Sequence, residues 1–98
     1  MPKRPSIALA SQRDRVLALA AARGADRVRV FGSVARDADH EGSDIDLLVD
    51  VLPGTSLLHL VGLQMEIEEA LGVKVDLCTE SELHPDLKAR VLAEARAI

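Results

Sequence analysis

Apolar residues recur along the chain in two rhythms, and the rhythms divide it into elements. From Ser6 to Arg23, Ile7, Leu9, Val16, Leu17 and Ala20 follow helical spacing, and Gly24 stands where a helix would stop. Asp26 to Phe31 alternates Val28 and Val30 against Arg27 and Arg29, which predicts a short strand interrupted by Gly32-Ser33. Val34 to Ala38 is long enough for one helical turn, and Asp39 to Ser43 reads as a polar loop. Asp44 to Val51 gives the clearest strand, with Ile45, Leu47, Val49 and Val51 on one face and Asp44, Asp46, Leu48 and Asp50 on the other. Pro53-Gly54 ends it. Thr55 or Ser56 caps a helix that runs to Leu71 and stops at Gly72. Val73 to Cys78 is a third strand, and Pro85 opens a last helix reaching about Ala97.

The order helix, strand, turn, strand, helix, strand, helix predicts an α/β (α+β) build. We expect a small mixed sheet of three to four strands with helices packed on one side. The Asp39–Ser43 loop is too short for a helical crossover, so the first two strands should be antiparallel neighbours. At 98 residues the chain is expected to form a single domain, 1–98, with no room for a separate acceptor-binding domain.

The second helix carries more apolar surface than one core stripe needs. Leu60, Leu63, Ile67 and Leu71 make the stripe, while Leu57, Leu58 and Val61 project at other angles. Those three belong either to a well-buried helix or to an interface with a partner or a second copy. Glu66 and Glu69 fall on the polar side.

Charge is unevenly distributed. Residues 1–29 hold seven Lys/Arg against two Asp, whereas residues 37–86 hold thirteen Asp/Glu against one Lys. An acidic centre opposes binding to a phosphate backbone, and with Phe31 the only aromatic residue there is no platform for stacked bases. Direct nucleic-acid binding is therefore not expected. Apolar runs are too short to span a bilayer, the Ile7–Ala10 run after the basic Met1–Arg4 start is too short for a signal-peptide core, and the lone Cys78 cannot form an internal disulfide. A cytoplasmic protein without membrane contact is the expectation.

An acidic centre does suit divalent cations. Asp44 and Asp46, two apart on a strand, place carboxylates about 7 Å apart along one face. Mg²⁺ favours a few carboxylates plus substrate phosphates over an all-protein cage. Asp76 in the next strand is placed to complete a cluster of three. On their own such aspartates read more readily as a solvated strand face. Gly32-Ser33, between a strand and a helical turn, presents backbone N–H groups and a hydroxyl to an anion, and Arg36 lies one helical turn further on. His40, His59 and His84 have no metal-ligand spacing and read as surface or capping residues. Lys74 shares its parity with Asp76 and reads as a solvated lysine, and Cys78 as a small core residue.

Taken together, Phe31-Gly32-Ser33-Val34-Ala35-Arg36 and Ser43-Asp44-Ile45-Asp46-Leu47-Leu48-Val49, with ten residues between Ser33 and Asp44, resemble the signature of the DNA polymerase beta nucleotidyltransferase superfamily. The likeness is nearest to its minimal nucleotidyltransferases, the MNT proteins, and continues through Val73-Lys74-Val75-Asp76-Leu77. One departure is Asp37, where the family often has glycine; turned inward, its carboxylate would repel a triphosphate.

The resemblance implies an enzyme that moves a nucleoside monophosphate, AMP from ATP, to an acceptor hydroxyl. It implies two Mg²⁺ ions held by Asp44 and Asp46, with Asp76 binding the catalytic ion and helping to remove the acceptor's proton. Gly32, Ser33 and Arg36 would hold the phosphates. MNT proteins commonly act as antitoxins by modifying a HEPN toxin with AMP, which makes such a toxin the expected partner. Two other functions compete: a nucleotide- or toxin-binding module without turnover, and transfer to a small molecule. The complete Ser33, Asp44, Asp46 and Asp76 set argues against the first, and the missing acceptor domain against the second.

Overall fold

The alternation in residues 45–51 fixes the centre of the molecule. In the computed structural model, which describes residues 4–98, β2 (Ile45–Val51) buries Ile45, Leu47 and Val49 on one face. β1 (Ala25–Phe31) runs antiparallel beside it, and β3 (Val75–Cys78) lies parallel on its other side. A fourth strand, β4 (Arg96–Ala97), pairs antiparallel with β1, giving the order β3-β2-β1-β4. The antiparallel first pair is as the short Asp39–Ser43 loop required, and the sheet is mixed and four-stranded, within the expected three to four strands.

Helices α1 (Pro5–Ser11), α2 (Arg13–Ala22) and α4 (Leu57–Leu71) supply Leu9, Val16, Ala20, Leu63 and Ile67 to a core shared with the inward residues of β1, β2 and β3. The short α3 (Gly32–Ala35) adds Val34 and Ala35. These helices share the Ile45-Leu47-Val49 face. α5 (Pro85–Glu94) is tied to the opposite one, where Arg29 reaches Asp50 and Glu80, and Lys88 of α5 reaches Glu80. Leu48, fully buried, belongs to that second face by parity.

Three sequence expectations need correction. The first helix is two: α1 and α2 meet at Gln12, whose backbone leaves helical geometry and breaks the spiral (φ −117°, ψ 20°). The break moves Ile7 out of the apolar stripe, and it is exposed while Ala8 and Leu9 are buried. The last helix ends at Glu94, not near Ala97, because the open edge of β1 takes residues 96–97 as a strand. Tertiary pairing there overrides the helical propensity of an Ala-rich run. β1 also carries a bulge between Asp26 and Arg29, with Arg27 left-handed at φ +46°.

The expected caps are present. Ser56 accepts from the His59 N–H, and His59 Nδ1 in turn accepts from the Ser56 N–H, a capping box with histidine in the role usually held by glutamate. Gly72 closes α4 in a left-handed conformation, φ +68°. His84 Nδ1 accepts from the Asp86 N–H at the start of α5.

On α4, Leu63 and Ile67 are fully buried and Leu60 and Leu71 pack against the core. Leu57, Leu58, Val61 and Met65 are exposed, Leu58 at 80%. Glu66 is less free than its wheel position implied: Arg23 Nε bonds its carboxylate at 2.7 Å. Among the described residues no helix is long and apolar enough to cross a membrane.

One buried charge organises the start of the fold. The Asp39 side chain is fully buried and accepts from the Ser6 N–H (2.9 Å) and from Arg4 Nη2 (3.0 Å). Arg4 makes no cap of its own, so a carboxylate 33 residues from Ser6 in sequence satisfies the first turn of α1. Burial alone would raise the Asp39 carboxyl, but the bonds from Ser6 and Arg4 prevail and hold it below its ordinary value. A depressed carboxyl stabilises the fold above its unfolded-state value, and that contribution disappears as pH falls through the folded value. Asp39→Asn should therefore lose about 1–3 kcal/mol at pH 7. Urea melts of both proteins should show the gap closing once pH drops below about 4.

Candidate active site

The carboxylate face of β2 exists because its other face is core. With Ile45, Leu47 and Val49 committed inward, Asp46, Leu48 and Asp50 must point the other way. Cross-strand register then places Phe31 and Asp76 on either side of Asp46. Asp46 and Asp76 are direct partners on parallel strands, so their side chains leave the sheet on the same face. Asp44 is exposed one residue before β2 begins.

Asp76 is held in place by α4. β3 is an edge strand, and its outward N–H groups would otherwise be open to another strand. Glu68 accepts from the Val75 N–H at 2.9 Å and Gln64 from the Leu77 N–H at 3.2 Å. The two anchors flank Asp76 and leave its carboxylate exposed.

Gly32 follows Phe31 with φ +74°, a left-handed conformation that favours glycine. A Cβ there would lie 3.1 Å from Asp46 Cγ and overlap the carboxylate oxygen. The loop backbone thus sits directly on Asp46. The Gly32 N–H donates to Glu94 Oε2 at 2.8 Å, and Arg36 Nη1 bonds Glu94 Oε1 at 2.6 Å. Ser33 is half-buried beside them.

The electrostatics separate these aspartates from Asp50. Asp50 lies 3.3 Å from Arg29 and 3.6 Å from Arg27. Among the described residues, none of Asp44, Asp46 and Asp76 has a Lys or Arg within ion-pair distance. Burial, then the charges of Asp76, Asp44 and Glu94, raise the Asp46 carboxyl above its ordinary value, with Arg36 opposing. Among the described residues, no three carboxylate, imidazole or thiol groups are already gathered around a metal position. An unpaired, mutually repelling set of carboxylates beside a backbone donor does fit a cation that brings phosphates with it.

Asp37, where the resembled family often has glycine, is left-handed at φ +56°. Glycine suits that conformation, and aspartate is among the side chains that tolerate it. The Asp37 side chain is 86% exposed, 3.7 Å from Arg4. Cys78 is half-buried on the carboxylate face, and burial, followed by Asp76, Glu82 and Asp46, pushes its thiol up to about 11. It is thus a poor nucleophile at neutral pH. Lys74 is exposed outside β3, as its solvated reading required. Sequence reasoning missed Glu94; its acidic side chain in an Ala-rich helix gave no local signal of a partner 62 residues away.

A family model described as the nucleotidyltransferase domain matches residues 12–98. The chain belongs to the nucleotidyltransferase domain family. It is a nucleotidyltransferase. Its relatives include MJ0435 of Methanocaldococcus jannaschii, provisionally named a protein adenylyltransferase; the two are 51% identical over 72 residues, 74% of this chain and 77% of that one. The protein adenylyltransferase MntA of Thermococcus cleftensis is 39% identical over 71 residues, 72% of each chain. A solved structure provisionally described as a minimal nucleotidyltransferase superposes with a TM-score of 0.85 at 46% identity, covering 95% of both chains. A structure described as a toxin–antitoxin with AMP-PNP shares the fold, with a TM-score of 0.73 at 21% identity over 86% of this chain and 69% of that one.

Proposed function

We propose that this nucleotidyltransferase transfers AMP from ATP to a hydroxyl of a protein partner, a HEPN-type toxin that it restrains. The observation that carries this reading is the row Phe31–Asp46–Asp76 across three strands, with the Gly32 backbone lying on Asp46. Protein adenylyltransferase relatives and a toxin–antitoxin with the same fold support the class of acceptor.

In this reading the Gly32 N–H, the Ser33 hydroxyl and Arg36 hold the phosphates of ATP. Asp44, Asp46 and Asp76 would hold Mg²⁺, expected as two ions, which when bound would supply positive charge to offset that of the phosphates. The acceptor oxygen bonds to the α-phosphorus as the bond to the bridging α–β oxygen breaks. Pyrophosphate leaves with the bonding electrons, and Asp76 takes the acceptor's proton. The chain's contribution is position and charge: β2 and β3 fix two carboxylates side by side, and the loop brings phosphate donors against them.

The test is a co-purified partner incubated with Mg²⁺ and each of the four nucleoside triphosphates. Intact mass should rise by AMP with ATP. An unchanged partner mass under all four would favour a binding module without turnover.

A further inference from the structure

The chain does not run on as a helix after Glu94. Ala95 is extended (φ −61°, ψ 136°), Arg96 and Ala97 pair with Val30 and Arg29, and Arg96 donates to the Ala35 carbonyl. This exit fixes Glu94 at the junction of α5 and β4, with its side chain 17% exposed. Its two carboxylate oxygens divide between two donors, Oε2 on the Gly32 N–H and Oε1 on Arg36 Nη1.

Those donors are the ones the proposed function assigns to the phosphates. A carboxylate facing a backbone N–H and a guanidinium presents the same two-oxygen anion that a phosphate group would. Gly32 has a single N–H, so Glu94 and a phosphate oxygen compete for it. Glu94 is also close enough to Asp46 to help raise its carboxyl, so it adds negative charge where a triphosphate brings more.

We propose that Glu94 is a built-in stand-in for the donor's phosphates, occupying Gly32 and Arg36 in the free protein and yielding them when the triphosphate enters. The inference rests on the function proposed above. While Glu94 is seated, the loop donors are satisfied and the loop is held against α5. The same seating lowers apparent affinity, because only the fraction of molecules with Glu94 released can accept the ligand.

The experiment is calorimetric titration of Mg²⁺-ATP, and separately of inorganic tripolyphosphate, into the wild-type chain and Glu94→Gln. Glutamine keeps the size and removes the charge. Both ligands should bind about tenfold tighter to the variant. Glu94→Asp keeps the charge but is one methylene short of spanning both donors, and it too should tighten binding; it serves if Glu94→Gln does not fold. A wild type that binds both ligands, with unchanged or weaker binding in a folded variant, overturns the stand-in and makes Glu94 a strut for the loop. Absence of binding to wild type and variants alike overturns the site reading itself, and the inference with it. The Gly32 amide resonance gives a second readout: it should move on Glu94→Gln without ligand, and in wild type when ATP binds. A Gly32 resonance unmoved by ATP in a wild type that binds it would place the phosphates elsewhere and overturn the proposal.

Discussion

Asp46→Asn should lower AMP transfer by about 10²–10³-fold, the scale on which removal of one charge-stabilising group reduces turnover. The same substitution should raise the melting temperature at pH 7. The opposite signs follow from one cause. Burial and the neighbouring charges of Asp76, Asp44 and Glu94 raise the Asp46 carboxyl, so its ionised form is disfavoured by folding. A raised carboxyl supports the fold fully only below its unfolded-state value, and that support is lost as pH rises through the folded value. Asparagine removes the repulsion while keeping the shape beside Gly32. Thermal melts at pH 7 and pH 3 test the sign: the variant's advantage should be present at pH 7 and vanish at pH 3. Transfer measured by partner mass tests the activity. A variant that loses both stability and transfer would mean that Asp46 acts as a structural group.

Leu63→Ala and Ile67→Ala should each cost about 2–5 kcal/mol. Both side chains are fully buried between α4 and the inward face of the sheet. Against a total of about 5–15 kcal/mol for a domain this size, either loss approaches unfolding at physiological temperature. Leu58→Glu, at a position 80% exposed on the same helix, should leave the urea midpoint of the isolated chain nearly unchanged. Glu69→Lys is a suitable charge control. Glu66 is not, because reversing it removes the partner of Arg23, whose guanidinium also packs against Gly62. Equal losses at Leu58 and Leu63 would mean that the helix is buried all round.

The sequence made β2 legible because one face is apolar throughout and the other carries aspartates at every position but Leu48, an alternation of period two. The caps of α4 were equally readable, since Ser56 and Gly72 act within their own turn. What the sequence concealed depends on distant partners. The break at Gln12 lies in a run with no proline or glycine, and Asp39 becomes a cap only because the fold brings it to Ser6. β4 is two residues long and exists because β1 offers an open edge. The aspartates of the candidate site were found from their spacing. Glu94 was not, because nothing local distinguishes it from a solvated helix residue. Asp37 carried a different lesson: the departure from glycine is accommodated in a left-handed turn facing solvent.

The interleaving of core and carboxylates along β2 also governs which folding errors can survive. A slip of β2 by one residue against β1 and β3 would turn Asp46 and Asp50 into the apolar interior and bring Ile45, Leu47 and Val49 out to water. No such misregistered molecule could keep a stable core, so none would persist as a folded but inactive decoy. The residues that hold the molecule together thereby proofread the alignment of those proposed to do its chemistry.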